Sequence, residues 1–124
     1  MNLNSILIGS DNPKRLADYY TKLFGEPGWD QDEYTGWAIG NGWVTVGPHD
    51  QVTGKNPHPG RIIWNIESAD VKGDSERFKA AGAMVVRDPY NPGESDDMGL
   101  IATFSDPDDN YFQLMSPMSS EDVS

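Results

Sequence analysis

A chain of 124 residues without a cysteine has no disulfide framework, no thiolate metal site and no cysteine nucleophile, so packing around a single core must supply its stability. Twenty acidic residues against nine basic ones leave a net charge of −11, which disfavours nucleic acid and acidic membranes as partners. No apolar run approaches the roughly 20 residues of a membrane span, and Met1 to Ile6 has no basic, apolar leader pattern, so a soluble cytoplasmic protein is expected.

In chain order, Leu3 to Ile8 reads as a strand. Ser10-Asp11-Asn12-Pro13 then offers capping oxygens followed by a proline suited to a first helical turn. Leu16, Tyr19, Tyr20, Leu23 and Phe24 recur at the spacing of one buried helical face, and Gly25 stops the helix. Tyr34 to Ile39 and Trp43 to Val46 read as antiparallel strands, with Asn41-Gly42 as their tight turn. Gly47 to Gly60 is polar, proline-rich and aperiodic, a connecting loop near the midpoint.

The pattern then restarts. Arg61 to Ile66 reads as a strand, Asp70 caps a helix that Gly82 ends, and Met84 to Arg87, Leu100 to Phe104 and Tyr111 to Met115 read as further strands. Gly25 and Gly82 are 57 residues apart, as are Asn4 and Arg61, so the chain reads as βαβββ twice, a duplication. Module 1 covers about 1–48 and module 2 about 60–117 of a single domain over 1–118, with a disordered tail over 119–124. Each half has too little sheet to bury both its faces, so a shared core is expected.

Three stretches carry a resemblance: Ile6-Leu7-Ile8-Gly9-Ser10-Asp11, Gly60-Arg61-Ile62-Ile63-Trp64-Asn65-Ile66, and above all Phe104-Ser105-Asp106-Pro107-Asp108-Asp109-Asn110-Tyr111-Phe112-Gln113-Leu114. In these the chain resembles the vicinal oxygen chelate superfamily, which holds glyoxalase I, extradiol dioxygenases, fosfomycin-modifying enzymes and bleomycin-resistance binding proteins. The resemblance implies an α+β fold: two βαβββ modules whose mixed sheets curl into a cup with helices outside, a ligand or metal within, and often a homodimer. Asp109 stands where the family usually has glycine, so mild backbone strain is expected there.

Period-two alternation then assigns faces. Tyr111, Gln113 and Met115 are expected to face the cup with Arg61, Ile63 and Asn65, and likewise Asn4, Ile6 and Ile8, while Phe112, Leu114 and Trp64 pack under a helix. The metal-ligand places of the superfamily fall on Asn4, approximately Thr45, Arg61 and Gln113. Arginine offers only donors and a fixed positive charge, so a divalent metal is disfavoured; no catalytic residue and no cofactor is assigned. The two histidines, His49 and His58, lie in the central loop and read as ordinary exposed side chains.

What remains is a binding surface. Trp37 and Trp43 are the chosen stacking residues, beside Trp29 and Tyr34, with Asn4, Arg61, Asn65, Tyr111, Gln113 and Met115 completing the ligand set. Hairpin partnership of Trp37 and Trp43 in a core or dimer interface is the structural alternative. Asp30 to Glu33 and Glu94 to Asp97 are acidic loops that either rim the cup or are simply solvated. The leading expectation is a homodimeric, metal-free binding protein that sequesters an aromatic, positively charged or neutral small molecule, as in resistance by drug binding. A metal-dependent glyoxalase-like lyase, isomerase or dioxygenase, and an accessory domain without a ligand, stand beside it.

Overall fold

The computed structural model describes residues 1–93 and 99–117, so the acidic stretch Glu94 to Asp97 and the tail over 119–124 lie outside the described residues. In order the elements are β1 (Ser5–Ser10), α1 (Pro13–Phe24), β2 (Trp29–Gln31), β3 (Tyr34–Ile39), β4 (Gly42–Pro48), a 3-10 turn (Pro59–Arg61), β5 (Ile63–Glu67), α2 (Val71–Ala80), β6 (Met84–Tyr90), β7 (Ile101–Ser105) and β8 (Tyr111–Met115). The duplicated βαβββ is present. One sheet runs β1-β4-β3-β2 and the other β5-β8-β7-β6, the same order twice, with β1/β4 and β5/β8 parallel and every other pair antiparallel. None of the described helices is long and apolar enough to cross a membrane.

Two compact units divide the chain: residues 1–57 with 107–109, and residues 58–106 with the last strand. In the first, Asn12 caps α1 by accepting from the Arg15 amide at 3.3 Å, with Pro13 in the first turn. Leu16, Tyr20 and Leu23 form the buried stripe of that helix, packed with Trp37, Val44 and Val46 of the sheet. Tyr20 lies edge-on to Trp37 at 6.0 Å and stacks on Phe24 at 5.5 Å.

Register settles the faces of this sheet. Trp37 is opposite Val44, and Val44 and Val46 are opposite Ile6 and Ile8, so all five share the helix side. The expectation for the first strand is therefore reversed: Ile6 and Ile8 face the helix, and Ser5, Leu7 and Gly9 face away. Asn4 precedes the strand, its side chain exposed and its carbonyl accepting from the Trp43 amide at 3.2 Å.

Two turns also differ from expectation. The β3–β4 hairpin is centred on Gly40-Asn41 rather than Asn41-Gly42, because Ile39 pairs with Gly42 and Gly40 takes the positive φ of +59°. Asp30 and Gln31 belong to a short strand unforeseen in the sequence, and Asp32 and Glu33 make its two-residue turn at φ +54° and +71°. Acidic residues thus occupy a left-handed turn where glycine or asparagine is usual.

In the second unit Asp70 caps α2 by accepting from the Gly73 amide at 3.0 Å. Val71 and Phe78 of the helix bury against Ala102, Phe104, Phe112 and Leu114. Trp64 stacks on Phe112 at 5.2 Å and Phe112 on Phe104 at 5.6 Å, as alternation in β8 required. β5 begins at Ile63, so Arg61 is not a strand residue; it lies exposed in the 3-10 turn, where proline and glycine interrupt the extended chain. β6 is an edge strand with two register shifts and Pro89 near its end, the irregularities edge strands tolerate.

The acid-rich turn has two structural jobs. Asp106 accepts from the backbone amide of Asn110 at 3.0 Å and from its side-chain amide, closing the β7–β8 connection. Asp108, almost wholly buried, belongs to the first unit: Ser10 Oγ and Arg15 Nη2 each donate to its carboxylate at 2.5 Å, and its carbonyl accepts from the Asn56 amide at 2.8 Å. Asp109 follows with φ +63°, the left-handed conformation expected. Asp109→Gly should raise stability by about 0.5–1 kcal/mol, seen as a higher urea midpoint with an unchanged slope. A lower midpoint would mean that the aspartate side chain contributes more than its backbone costs.

Candidate functional site

Each sheet has one face under its helix and one turned away, and the chemistry of the free faces differs. In the first unit the free face carries Leu7, Tyr34, Trp43 and Trp29, set there by the pairs Leu7/Thr45, Ala38/Trp43, and Trp29/Gly36. Each aromatic ring rests on a glycine. A Cβ at Gly36 would fall inside the Trp29 indole, one at Gly47 inside the Tyr34 ring, and one at Gly28 would lie 2.8 Å from Trp43 Cη2. The missing side chains let the rings lie against the backbone; Trp29 is 41% exposed, and Tyr34 and Trp43 are half-buried. His49 and Val52 pass over Gly9, covering that end of β1.

Trp37 does not belong to this wall. It is 2% exposed, lies on the opposite face, and donates from Nε1 to the Gly25 carbonyl at 3.1 Å. Nor are Trp37 and Trp43 cross-strand partners: Trp37 lies opposite Val44 and Trp43 opposite Ala38.

In the second unit Tyr111, Gln113 and Met115 lie on the free face, with Asn65 opposite Gln113. A single polar row crosses this face. Thr103 Oγ1 donates to Gln113 Oε1 at 2.9 Å, and Gln113 Nε2 donates to Asn65 Oδ1 at 2.8 Å. Arg87 is the β6 residue opposite Thr103 and extends the row to the sheet edge, its guanidinium 3.4 Å above the Tyr90 ring. Thr103 and Arg87 were missed in the sequence: alternation would have placed Thr103 in register with Gln113, but the bulges of β6 hide the facing of Arg87.

Of the positions where the superfamily resemblance would place a metal, Asn4 is exposed ahead of β1, Arg61 is outside β5, and the Gln113 carbonyl is engaged by Thr103. Among the described residues no three histidine, aspartate or glutamate side chains gather in a metal-binding cluster. His49 Nδ1 accepts from the Gln51 amide at 3.1 Å. A groove of about 450 Å³ runs along the outer side of α1 beside Lys14, Arg15, Tyr19 and Lys22. Two of its cations are already paired, Lys14 with Asp18 and Arg15 with Asp108.

The sequence profile of a glyoxalase-like domain matches residues 5–115. Comparison with curated protein sequences gives no match. Among solved structures, a glyoxalase-related enzyme from Fulvimarina pelagi is 19% identical with a TM-score of 0.73, over 97% of this chain and 94% of that one. TioX from Micromonospora sp. ML1 is 16% identical with a TM-score of 0.69, over 95% and 100%. The fosfomycin resistance protein FosX from Listeria monocytogenes is 18% identical with a TM-score of 0.63, over 98% and 96%. At such identities these structures bear on the fold, an α+β arrangement of two four-stranded mixed sheets and two helices. The profile match over nearly the whole chain, together with the duplicated βαβββ topology, makes this protein a member of the glyoxalase-like family within the vicinal oxygen chelate superfamily.

Proposed function

We propose that the protein is a small-molecule binding protein that takes up a flat aromatic compound on the face of its first sheet turned away from α1. The observation that carries this reading is the set of three rings, Trp29, Tyr34 and Trp43, each seated on a glycine and each at least partly exposed. A core does not need this arrangement, since the core of the first unit is built on the other face by Trp37, Tyr20 and the valines. Partly exposed aromatic rings favour planar and cationic partners, and a net charge of −11 draws positive ones by long-range attraction. Sequestration of an aromatic natural product, as in antibiotic resistance by binding, is the biological role this chemistry suits.

The proposed protein works without a divalent metal. Support comes from the donors: an arginine and two amides stand where imidazoles or carboxylates would be needed, and the Gln113 amide is already held by Thr103 and Asn65. Metal analysis of protein purified without chelator should find less than stoichiometric divalent ion. A stoichiometric ion whose loss follows Gln113→Ala would favour the metal-dependent enzyme instead.

Titration with polycyclic and glycopeptide antibiotics should give a saturable change in tryptophan fluorescence. Trp43→Leu should remove it while leaving the unfolding midpoint nearly unchanged. No saturable response from any compound, with no protection of a sensitive host on expression, would overturn the proposal.

A further inference from the structure

We infer that the row of residues across the middle of this face of the first sheet selects a planar lactam, a ring in which a carbonyl and an N–H stand side by side. Trp29 Nε1 donates to the carbonyl and Thr45 Oγ1 accepts from the N–H. This rests on the reading that the face takes up a flat aromatic compound, and it names the polar edge of that compound.

Register brings the two protein groups together. Trp29 on β2 pairs with Gly36 on β3, Gly36 with Thr45 on β4, and Thr45 with Leu7 on β1, so one row crosses all four strands. The Trp29 indole lies over Gly36, and Nε1 is the atom that a Cβ there would meet first. The indole nitrogen is thereby carried one strand inward, to the strand beside Thr45. Neighbouring strands lie ~4.8 Å apart, so a donor over Gly36 and a hydroxyl on Thr45 are both within reach of one small planar edge.

Neither group has a hydrogen-bond partner among the described residues. The other polar groups of this face differ. The Tyr34 hydroxyl donates to the Pro48 carbonyl, and Ser5 and Gln31 are exposed at the ends of their strands. Trp37, on the helix side, has its indole nitrogen satisfied by the Gly25 carbonyl. Trp29 Nε1 and the half-buried Thr45 hydroxyl are therefore what the centre of the wall offers a ligand besides apolar and aromatic surface.

An indole N–H only donates, so the ligand atom that meets it is an acceptor. A hydroxyl can donate or accept, and the potential of a chain with net charge −11 favours a positive-edged N–H against its lone pairs over a second acceptor. A lactam places that acceptor and that donor on adjacent atoms. Leu7 ends the row with apolar surface for the hydrocarbon side of the ring. Such an edge carries no net charge, so positive charge elsewhere on the ligand remains compatible with the acidity of the protein.

The test follows the indole 15N–1H signals of the full chain during titration with two probes. In 2-quinolone the ring N–H stands beside the carbonyl, and in 1-methyl-2-quinolone a methyl group replaces that hydrogen. 2-Quinolone is expected to bind about tenfold tighter and to move the Trp29 Nε1–H signal downfield. The Trp43 signal reports contact with the ring wall, and the buried Trp37 is a silent control. Thr45→Val keeps the shape and strand preference of the side chain, so the fold is retained. It should abolish the tenfold preference, which a merely steric effect of the methyl group would leave in place, whereas Thr45→Ser should keep it. Trp29→Phe should weaken 2-quinolone about tenfold. If the two probes bind equally, or the preference survives Thr45→Val, this inference fails and the aromatic reading stands. If neither probe moves the Trp29 or the Trp43 signal, both fail.

Discussion

Trp37→Ala is expected to lower stability by about 3–5 kcal/mol, because it empties a large buried volume between the sheet and α1. The same change removes the bond from Nε1 to the Gly25 carbonyl at the end of the helix and the ring contacts with Tyr20 and Phe24. Trp43→Ala should cost only about 1–2 kcal/mol, since its indole is half-buried on the free face rather than enclosed in the core. The two tryptophans are six residues apart in sequence, yet one serves the core and the other the candidate binding face. Urea unfolding of the two variants measures the difference directly, in midpoints at constant slope. Equal losses would mean that Trp43 is as much a core residue as Trp37, and the binding reading would lose its best stacking residue.

Asp108→Ala should be the most damaging polar substitution, at about 2–3 kcal/mol. Its carboxylate is buried and receives both Ser10 Oγ and Arg15 Nη2, so truncation leaves a buried hydroxyl without its acceptor and a guanidinium without its anion. Loss of one member of a fully buried pair costs about 3–5 kcal/mol; here Arg15 is half-exposed and can turn to water, which reduces the penalty. Asp108→Asn should lose less than Asp108→Ala, because an amide oxygen still accepts from Ser10. In a double-mutant cycle with Arg15→Ala the coupling should be positive and only weakly reduced by salt. Coupling that vanishes at high salt would reclassify the contact as an ordinary surface pair.

These residues also show how much the sequence alone discloses. Helix α1 was legible throughout: its cap, its apolar stripe and its stop are each local chemistry. The last strand was equally legible, because the amide of Gln113 between Phe112 and Leu114 marks one face as polar and the other as buried. The first strand was not. Ile6, Leu7 and Ile8 are all apolar, so alternation there carries no sign, and the face was assigned from Asn4, which lies just outside the strand. Leu7, 57% exposed, is the residue that the sequence would have buried.

For the candidate site the same rule holds. Tyr111, Gln113, Met115 and Asn65 were placed correctly on one face by period two. Trp37 and Trp43 both read as stacking residues in the sequence, but the turn at Gly40-Asn41 pairs Trp37 with Val44 and Trp43 with Ala38, which sets them on opposite faces. Arg61 was assigned to a strand that starts two residues after it. Arg87, which lies opposite Thr103, could not be found by alternation, since a bulge shifts the facing of every residue beyond it.

The contact between Ser10 and Asp108 spans 98 residues of chain, and so has a consequence for how the protein is made. A ribosome must deliver the chain as far as Asp108 before the first unit can acquire its buried carboxylate, and the parallel pairs β1/β4 and β5/β8 likewise wait for the last strand of each half. Long-range closures of this kind slow folding, so the nascent first half should remain loosely organised, with its exposed tryptophan and leucine surface available to chaperones, until the acidic turn emerges.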